Sequence, residues 1–343
     1  MQTLPAIKNI SDEQLDNWLV KHGFKKFRRR QINNWLYNNF CCNFERMRNV
    51  PDDLIRELGK NFRACAVQTL EKQEADDGTW KYLFELGDGE TIETVLIPDD
   101  DRNTVCISSQ VGCPVGCYFC ASGKFGLTRN LDPAEIVDQV LYICGELGQK
   151  VDNIVVMGIG EPLLNTDNLI PALKLLNSSA GLELGARRVT VSTSGIVPGI
   201  RKLAEQGVQW NLALSLHGTN DEERAQFIPQ HNRYPLSEIL EACRYYNDQT
   251  GRMITFEYTL IEGYNSSLRD ADRLIDCAYK AGAKVNLIPC NPVKGGCSWK
   301  PPSSDNIAEF RKRLENRGLS VTQRKRKGDK INAACGQLRS GKK

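Results

Sequence analysis

The spacing of apolar residues divides the chain into an N-terminal part and a longer part with a different rhythm. Residues 1–75 keep apolar positions at helical spacing, first behind Ser11, which we interpret as a helix N-cap. The same spacing returns over residues 29–39 and 51–63. This part is predicted to be a small helical accessory domain.

Residues 79–98 change period, because apolar and polar residues alternate on both sides of Gly87-Asp88-Gly89. Such alternation around a glycine turn is typical of a β-hairpin. We therefore predict a hairpin extension over residues 76–98, connecting the accessory domain to the rest of the chain.

Beyond the hairpin, strand-like and helical segments alternate six times. The strands are predicted near residues 103–108, 153–158, 188–193, 209–216, 253–261 and 284–289, and the helices near 133–147, 167–178, 198–206, 236–249, 267–281 and 304–317. This alternation favours a parallel sheet with right-handed crossovers, hence an α/β fold. A partial (β/α)6 barrel over residues 99–330 is predicted, followed by a C-terminal segment, residues 331–343. In such a barrel, functional groups lie at the carboxyl ends of the strands.

Composition is ordinary for a soluble protein, with 41% hydrophobic and 25% charged residues among 343 and a net charge of +3. No apolar run is long enough to span a membrane, and no signal pattern opens the chain. We expect a cytoplasmic protein without a membrane partner, acting as a monomer. Thirteen cysteines then indicate metal binding or catalysis more than structural disulfides, because cytosolic thiols stay reduced.

Basic residues are concentrated in two clusters, although the net charge of the chain is low. Residues 21–30 hold six basic side chains with two phenylalanines among them, and residues 324–327 read Arg-Lys-Arg-Lys. Lysine and arginine neutralise phosphates, so both clusters fit RNA binding, although a solvated charged surface explains them equally well.

Three cysteines carry the clearest chemical signal. Cys113, Cys117 and Cys120 stand at spacings of four and three in one loop behind the first predicted barrel strand. A [4Fe–4S] cluster normally takes four thiolates, so three would leave one iron open to a substrate. A zinc site with Cys106 as fourth ligand is the alternative, since no second cysteine or histidine pair lies nearby.

Polar residues follow several other strands. Gly158–Asn165 comes behind the second predicted strand, Ser192–Gly195 behind the third, Ser215–His217 behind the fourth and Asn291 behind the sixth. Each alone is more typical of a loop or cap. Together they predict one polar cavity, in which Glu161 could accept hydrogen bonds from an ammonium group.

These motifs resemble a known family. The CxxxCxxC loop on a β/α core resembles the radical S-adenosylmethionine enzymes. Five ordered segments resemble, more narrowly, the bacterial adenine-C2 RNA methyltransferases of the RlmN family: Cys106–Cys113, Gly158–Asn165, Ser192–Pro198, Asn286–Pro292 and Ala333–Leu338.

The resemblance implies a radical-SAM barrel and a role for each matching residue. Cys113, Cys117 and Cys120 would hold one [4Fe–4S] cluster, and adenosylmethionine would lie against Gly160, Glu161, Ser192, Ser215, Leu216, His217 and Asn291. Cys335 would carry the methyl group, Cys106 would resolve the intermediate and Glu93 would accept a proton. From spacing alone, Cys106 and Cys335 would be two unrelated buried thiols.

The implied reaction uses two adenosylmethionine molecules per turnover. One methylates Cys335, and the second is cleaved to a radical that activates this methyl group for addition to adenine C2. The implied partners are 23S rRNA, tRNA and a reductant such as flavodoxin or ferredoxin. Methylation at C8, as in the sister group, is an alternative, and so is a non-catalytic metal-bearing RNA-binding protein.

The chain departs from the family pattern at two places. Lys330 and Asn332 stand where acidic residues are usual before the methyl-carrying cysteine, and Pro229–Asn232 differs from the usual Pro-Ile-Asn. Neither place holds a residue assigned to the core chemistry, so they bear on how RNA is held.

Overall fold

A computed structural model describes residues 4–229, 234–290, 299–324, 327–328, 331–333 and 336–338. The N-terminal part begins with helices α1 (Asp12–Lys21), α2 (Arg28–Asn33) and α3 (Asp52–Asn61). The N-cap prediction is confirmed, because the Ser11 hydroxyl accepts from the backbone N–H of Gln14 at 3.1 Å and the Gln14 side chain accepts from Ser11 in return.

The predicted hairpin is present and belongs to a larger sheet. Strands β1 (Val67–Glu74), β2 (Trp80–Leu86), β3 (Thr91–Asp99) and β4 (Arg102–Cys106) pair antiparallel in that order. Strand β1 lies within the part for which mainly helices were predicted. Its mostly polar sequence has one fully buried residue, Val67, so pairing with β2 determines its conformation.

The parallel sheet has the predicted alternation. A short antiparallel pair, β5 (Gln110–Gly112) and β6 (Leu127–Asn130), flanks the cysteine loop. The remaining strands are β7 (Asn153–Val156), β8 (Val189–Thr193), β9 (Asn211–Ser215), β10 (Thr255–Leu260), β11 (Lys284–Pro289) and β12 (Val321–Gln323). The main sheet runs β1-β2-β3-β4-β7-β8-β9-β10-β11-β12, parallel from β4 onwards.

Helices cover the parallel strands. They are α4 (Pro133–Leu147), α5 (Thr166–Asn177), α6 (Val197–Ala204), α7 (Asp221–Phe227), α8 (Leu236–Thr250), α9 (Leu268–Ala281) and α10 (Ser304–Asn316). The six predicted strands and six predicted helices are all present, which confirms the α/β partial barrel. Strand β12 and helix α7 are additions that the sequence did not predict. None of the helices in the described ranges could span a membrane.

A buried ion pair joins the N-terminal segment to the barrel. The Lys8 ammonium lies 2.7 Å from an Asp138 carboxylate oxygen on α4, and both side chains are at most 1% exposed. The second carboxylate oxygen accepts from the Ala66 N–H at 2.7 Å, and Lys8 also donates to the Ala64 carbonyl. Each charge of the pair is therefore balanced by the other. The ion pair and these hydrogen bonds attach the segment before β1 to helix α4.

Candidate active site

One cavity lies at the carboxyl ends of the parallel strands. Eight residues predicted from the sequence line it: Cys113, Cys117, Cys120, Gly160, Glu161, Ser192, Ser215 and His217. Leu216 is fully buried behind the wall, and its N–H donates to the Glu257 carbonyl. Asn291 lies outside the described residues. Groups far apart in the chain thus meet because successive strands end at the same edge.

The three cavity cysteines are chemically suited to a metal cluster. Burial raises the pKa of the Cys113 thiol to about 12 and that of Cys117 well above its usual range. A metal binds the thiolate form, so loading must displace these protons and supply the compensating positive charge.

The arrangement fits an iron–sulfur cluster better than a zinc ion. In the part of the chain that the structure describes, no group of three or more His, Cys, Asp or Glu side chains is arranged to hold a metal ion. In a four-iron cluster each cysteine binds a different iron, so its ligands need not converge on one atom. Cys106, the fourth ligand of the zinc alternative, does not line the cavity and packs with Val95 and Ile159 instead.

The turn that follows β7 requires a glycine at Gly160, where it packs against β5, the strand before the cysteine loop. Gly160 has φ of +112°, and a Cβ there would lie 2.7 Å from the side chains of Ser109 and Gln110. The absent side chain lets the backbone approach β5. The Gln110 amide oxygen then accepts from the Glu161 N–H at 2.8 Å.

Glu161 is held so that its carboxylate faces the cavity. One oxygen accepts from the Ser194 N–H at 2.7 Å and the other from the Leu163 N–H at 3.1 Å. Burial raises the pKa of this carboxyl. A cationic ligand in the cavity would favour its ionised form, so the side chain suits an ammonium group.

His217 is fixed as a neutral hydrogen-bond donor. Its backbone is in the left-handed region at φ of +54°, and its carbonyl accepts from the Asn265 side chain at 2.8 Å. The Thr259 N–H donates to Nδ1 at 3.1 Å, so the remaining hydrogen is on Nε2. The pKa of His217 is lowered to about 3, mainly by burial and to a smaller extent by the positive charge of the nearby Arg224. The ring is thus uncharged at neutral pH.

Arg224 on α7 connects the ends of two site strands, and the sequence did not single it out. Its guanidinium donates to the carbonyls of Ser194 at 2.7 Å, Leu216 at 2.6 Å and Ser215 at 3.1 Å. The side chain is 1% exposed. Ser215 lines the cavity, and the Ser194 N–H donates to Glu161. Arg224 therefore positions two parts of the cavity wall.

The family resemblance implies adenosylmethionine as the ligand of this cavity, and we expect Arg224→Lys to weaken its binding by roughly tenfold or more, because lysine lacks the planar fork that reaches all three carbonyls. Equilibrium dialysis measures the dissociation constant. Arg252→Lys is the matched control, because Arg252 binds Asn211 at the opposite end of β9. Equal binding by both variants would contradict the positioning role.

Two further cavity residues were missed. Glu257 on β10 is buried, lines the cavity and accepts from the Asn286 amide at 2.8 Å. A charged residue within the otherwise uncharged strand Thr255–Leu260 was the available signal. Phe119, inside the cysteine loop, lines the cavity with its ring 4.8 Å from that of His217.

The C-terminal segment reaches the cysteine loop and Cys106. Cys335 lies outside the described residues, but the following residue, Gly336, lines the cavity, and its carbonyl accepts from the Ala121 N–H at 2.7 Å. Cys106 packs in one apolar cluster with Ala333 and Leu338. Described residues on both sides of Cys335 therefore share an apolar cluster with the predicted resolving cysteine.

Glu93 lies on β3, outside the cavity wall. Its carboxylate is 3.1 Å from the Lys81 ammonium, and the side chain is buried. Residues two apart on a strand face the same way, so Glu93 shares a sheet face with Val95, which pairs with Cys106.

The two basic clusters have different surroundings. In the first, Arg29 pairs with Asp16 at 2.9 Å and also with Asp12, whereas Lys25 and Lys26 are exposed. In the second, Arg324 lines the cavity and Lys327 pairs with Asp99 at 2.7 Å. Arg29 and Lys327 thus have acidic partners within the chain.

Comparisons with known proteins agree with this geometry. The radical SAM superfamily model matches residues 107–275, and the ribosomal RNA large subunit methyltransferase N-terminal domain model matches residues 6–64. A crystal structure of a radical SAM methyltransferase from Sphaerobacter thermophilus superposes with a TM-score of 0.93 at 41% identity, covering 97% of this chain and 99% of that one. The fold and the cysteine-lined cavity therefore define a radical S-adenosylmethionine enzyme.

Curated proteins of similar sequence identify the family within this class of enzymes. Proteins of Halalkalibacterium halodurans and Bacillus subtilis, each named "Probable dual-specificity RNA methyltransferase RlmN", are 45% and 44% identical over 340 and 339 residues. Each alignment covers 98% of this chain, and 94% and 93% of the respective relatives. The chain belongs to the RlmN family of RNA methyltransferases. Membership of the radical SAM superfamily implies a [4Fe–4S] cluster and adenosylmethionine.

Proposed function

We propose that the chain methylates C2 of adenosine in 23S rRNA, and an adenosine in tRNA, through a methyl group carried by Cys335. The carrying observation is the position of the C-terminal segment. Its residues Ala333 and Leu338 belong to the apolar cluster that contains Cys106, while the Gly336 carbonyl accepts from the N–H of Ala121, directly after Cys120. These contacts support a reaction in which the Cys335 and Cys106 thiols act close to the proposed radical source.

The cavity divides the work among its walls. Cys113, Cys117 and Cys120 would hold the cluster, and Glu161 would accept from the amino group of adenosylmethionine. Ser192 donates its hydroxyl hydrogen to the Val156 carbonyl at 2.7 Å, so its oxygen remains an acceptor. When bound, the cluster and adenosylmethionine would supply the carbon radical needed to reach a ring carbon that has no lone pair.

The remaining steps fall to residues of the chain. The Cys335 thiolate accepts the methyl group and presents it to the base. Once the carbon carried by Cys335 is bonded to the ring, Glu93 removes the C2 proton, the adjacent Lys81 orients its carboxylate, and the surplus electron of the adduct would return to the cluster. The Cys106 thiolate then attacks the Cys335 sulfur and breaks its bond to this carbon, which takes up a proton and stays on the RNA as the methyl group, while the two sulfurs form a disulfide. Two electrons from an external thiol reductant restore both thiols.

The names of relatives support the substrates. The N-terminal family model refers to large-subunit ribosomal RNA, and the curated relatives are described as having dual specificity. We propose residues 1–75 as the part of the enzyme that contacts RNA. Flavodoxin or ferredoxin is the proposed electron donor for the cluster, and we expect one chain to be sufficient for activity.

The decisive experiment identifies the modified base. The reconstituted enzyme is incubated with unmodified 23S rRNA and tRNA, and the nucleosides are identified by mass analysis and comparison with standards. We expect 2-methyladenosine from both RNAs. Finding 8-methyladenosine would contradict the C2 assignment. A protein that binds zinc and does not cleave adenosylmethionine would contradict the proposal that the chain is an enzyme.

Two cysteine variants separate the steps. Cys335→Ala should keep the iron and still cleave adenosylmethionine, yet transfer no methyl group.

Cys106→Ala should leave RNA covalently attached to Cys335, which is detected as a protein–RNA band on a denaturing gel. Normal methylation by either variant would contradict its assigned role.

A further inference from the structure

Four aromatic residues meet close to the cysteine loop and are here called the aromatic rim: Tyr118, Phe227, Tyr264 and Trp299. The Phe227 ring lies 5.3 Å from the Trp299 ring and 6.4 Å from the Tyr264 ring, at 72° and 68°. Tyr264 and Trp299 also contact each other at 5.6 Å. The Tyr118 N–H donates to the Phe227 carbonyl at 3.1 Å, so four separate chain segments meet at Phe227.

The rim is continuous with the proposed cluster site. Tyr118 lies between Cys117 and Cys120 in the chain. Trp299 and Cys117 pack against one apolar cluster that includes Val115, and Val115 and Cys117 line the cavity. A molecule that covers the cavity mouth would therefore also meet the rim.

The exposed rings of the rim are those of its two tyrosines. Phe227 is 1% exposed and supports the others, while Tyr118 and Tyr264 are each 52% exposed. Contiguous exposed rings commonly mark a binding surface, whereas isolated ones need no explanation. Tyr279, 56% exposed on α9, is an isolated case, since it makes no ring contact with the rim.

Two exposed lysines and one exposed carboxylate, that of Glu262, lie near the rim residues in the chain, so the local charge is positive and suits an anionic partner. Lys300, exposed, follows Trp299 directly, and its carbonyl accepts from the Glu262 N–H at 2.9 Å, two residues before Tyr264. Lys124, also exposed, follows Cys120 by four residues. Aromatic faces stack on any unpaired base, and lysines neutralise the phosphates between bases.

We propose that the aromatic rim stacks unpaired nucleotides that flank the target base of the RNA substrate. The proposal rests on the proposed function, because it takes RNA to be the molecule at the cavity mouth. A base entering a buried site must leave its helical stack, which also unstacks its neighbours. Tyr118 and Tyr264 offer those neighbours replacement surfaces next to the reacting centre.

The test compares three tyrosines with different surroundings. Tyr118→Ala and Tyr264→Ala are assayed against Tyr279→Ala, after reconstitution to equal iron content. We expect the KM for RNA to rise about 5- to 150-fold for each rim variant, the range for losing one stacked base. Tyr279→Ala should match the wild type. Tyr264→Phe and Tyr264→Trp should bind RNA normally, because they keep a ring.

Several results would overturn the proposal. One is a KM for RNA within twofold of the wild type in Tyr264→Ala. Another is a defect seen with ribosomal subunits and absent with naked RNA, which would assign the rim to a protein partner. If the wild type methylates no RNA, the proposed function fails instead. RNA affinity measured by fluorescence anisotropy then decides on the rim separately, and it remains informative if Tyr118→Ala fails to hold its cluster.

Discussion

Replacing Cys117 with serine is expected to abolish activity while leaving the fold intact. A serine hydroxyl is a poor substitute for the thiolate that iron–sulfur clusters require. The reconstituted variant should hold little iron, cleave no adenosylmethionine and methylate RNA only at the level of the blank. Iron and sulfide content, together with circular dichroism, separate a missing cluster from a misfolded chain.

Cys42→Ser provides the control for this variant. Cys42 is a partly exposed cysteine in the N-terminal part and does not line the cavity. It should keep its iron and its activity. A Cys117→Ser protein that still assembles a cluster and cleaves adenosylmethionine would refute the assignment of the three thiols.

The Asp138→Asn variant should lose about 3–5 kcal/mol of unfolding free energy, because it leaves the Lys8 ammonium buried without its counter-charge. Urea denaturation of the metal-free protein measures the change. The double variant Lys8→Met/Asp138→Leu should recover part of this loss, since no uncompensated charge remains, but the Ala66 N–H and the Ala64 carbonyl lose their partners.

The surface pair Arg313–Asp272 is a matched control for burial. Its nitrogen–oxygen distance of 2.8 Å is close to the 2.7 Å of the buried pair, but both side chains are 44% exposed. Asp272→Asn should leave the urea midpoint nearly unchanged, because solvent screens an exposed pair. If the two asparagine variants were equally destabilised, burial would not be the reason for the importance of Asp138.

Helix α4 illustrates what local sequence determines. It runs from Pro133 to Leu147, the bounds predicted from the apolar spacing. Asp132 and Glu135 form a capping box at its start, and Gly148 adopts the left-handed conformation just past its end. All of these signals lie within the helix or one residue outside it, so no distant partner is needed to find its ends.

Features that depend on distant partners could not be found in this way. Strands β1 and β12 form by pairing with neighbours in the sheet, and their own sequences carry little apolar pattern. The role of Arg224 depends on carbonyl groups, which every residue has. Cys113, Cys117 and Cys120 were found because their spacing is itself the chemical signal.

The sheet continues without a break from the hairpin into the barrel, and this has a mechanical consequence. Val95 to Asp99 of β3 pair with Cys106 to Arg102 of β4, so the two parts share a ladder of hydrogen bonds. A hinge between them would have to break that ladder, which places it among the more costly motions of the fold. Bending between the hairpin and the barrel is therefore a costly way to bring an RNA base to the site. On the proposed function, the RNA backbone itself has to swing the target adenosine out of its stack and towards the cavity.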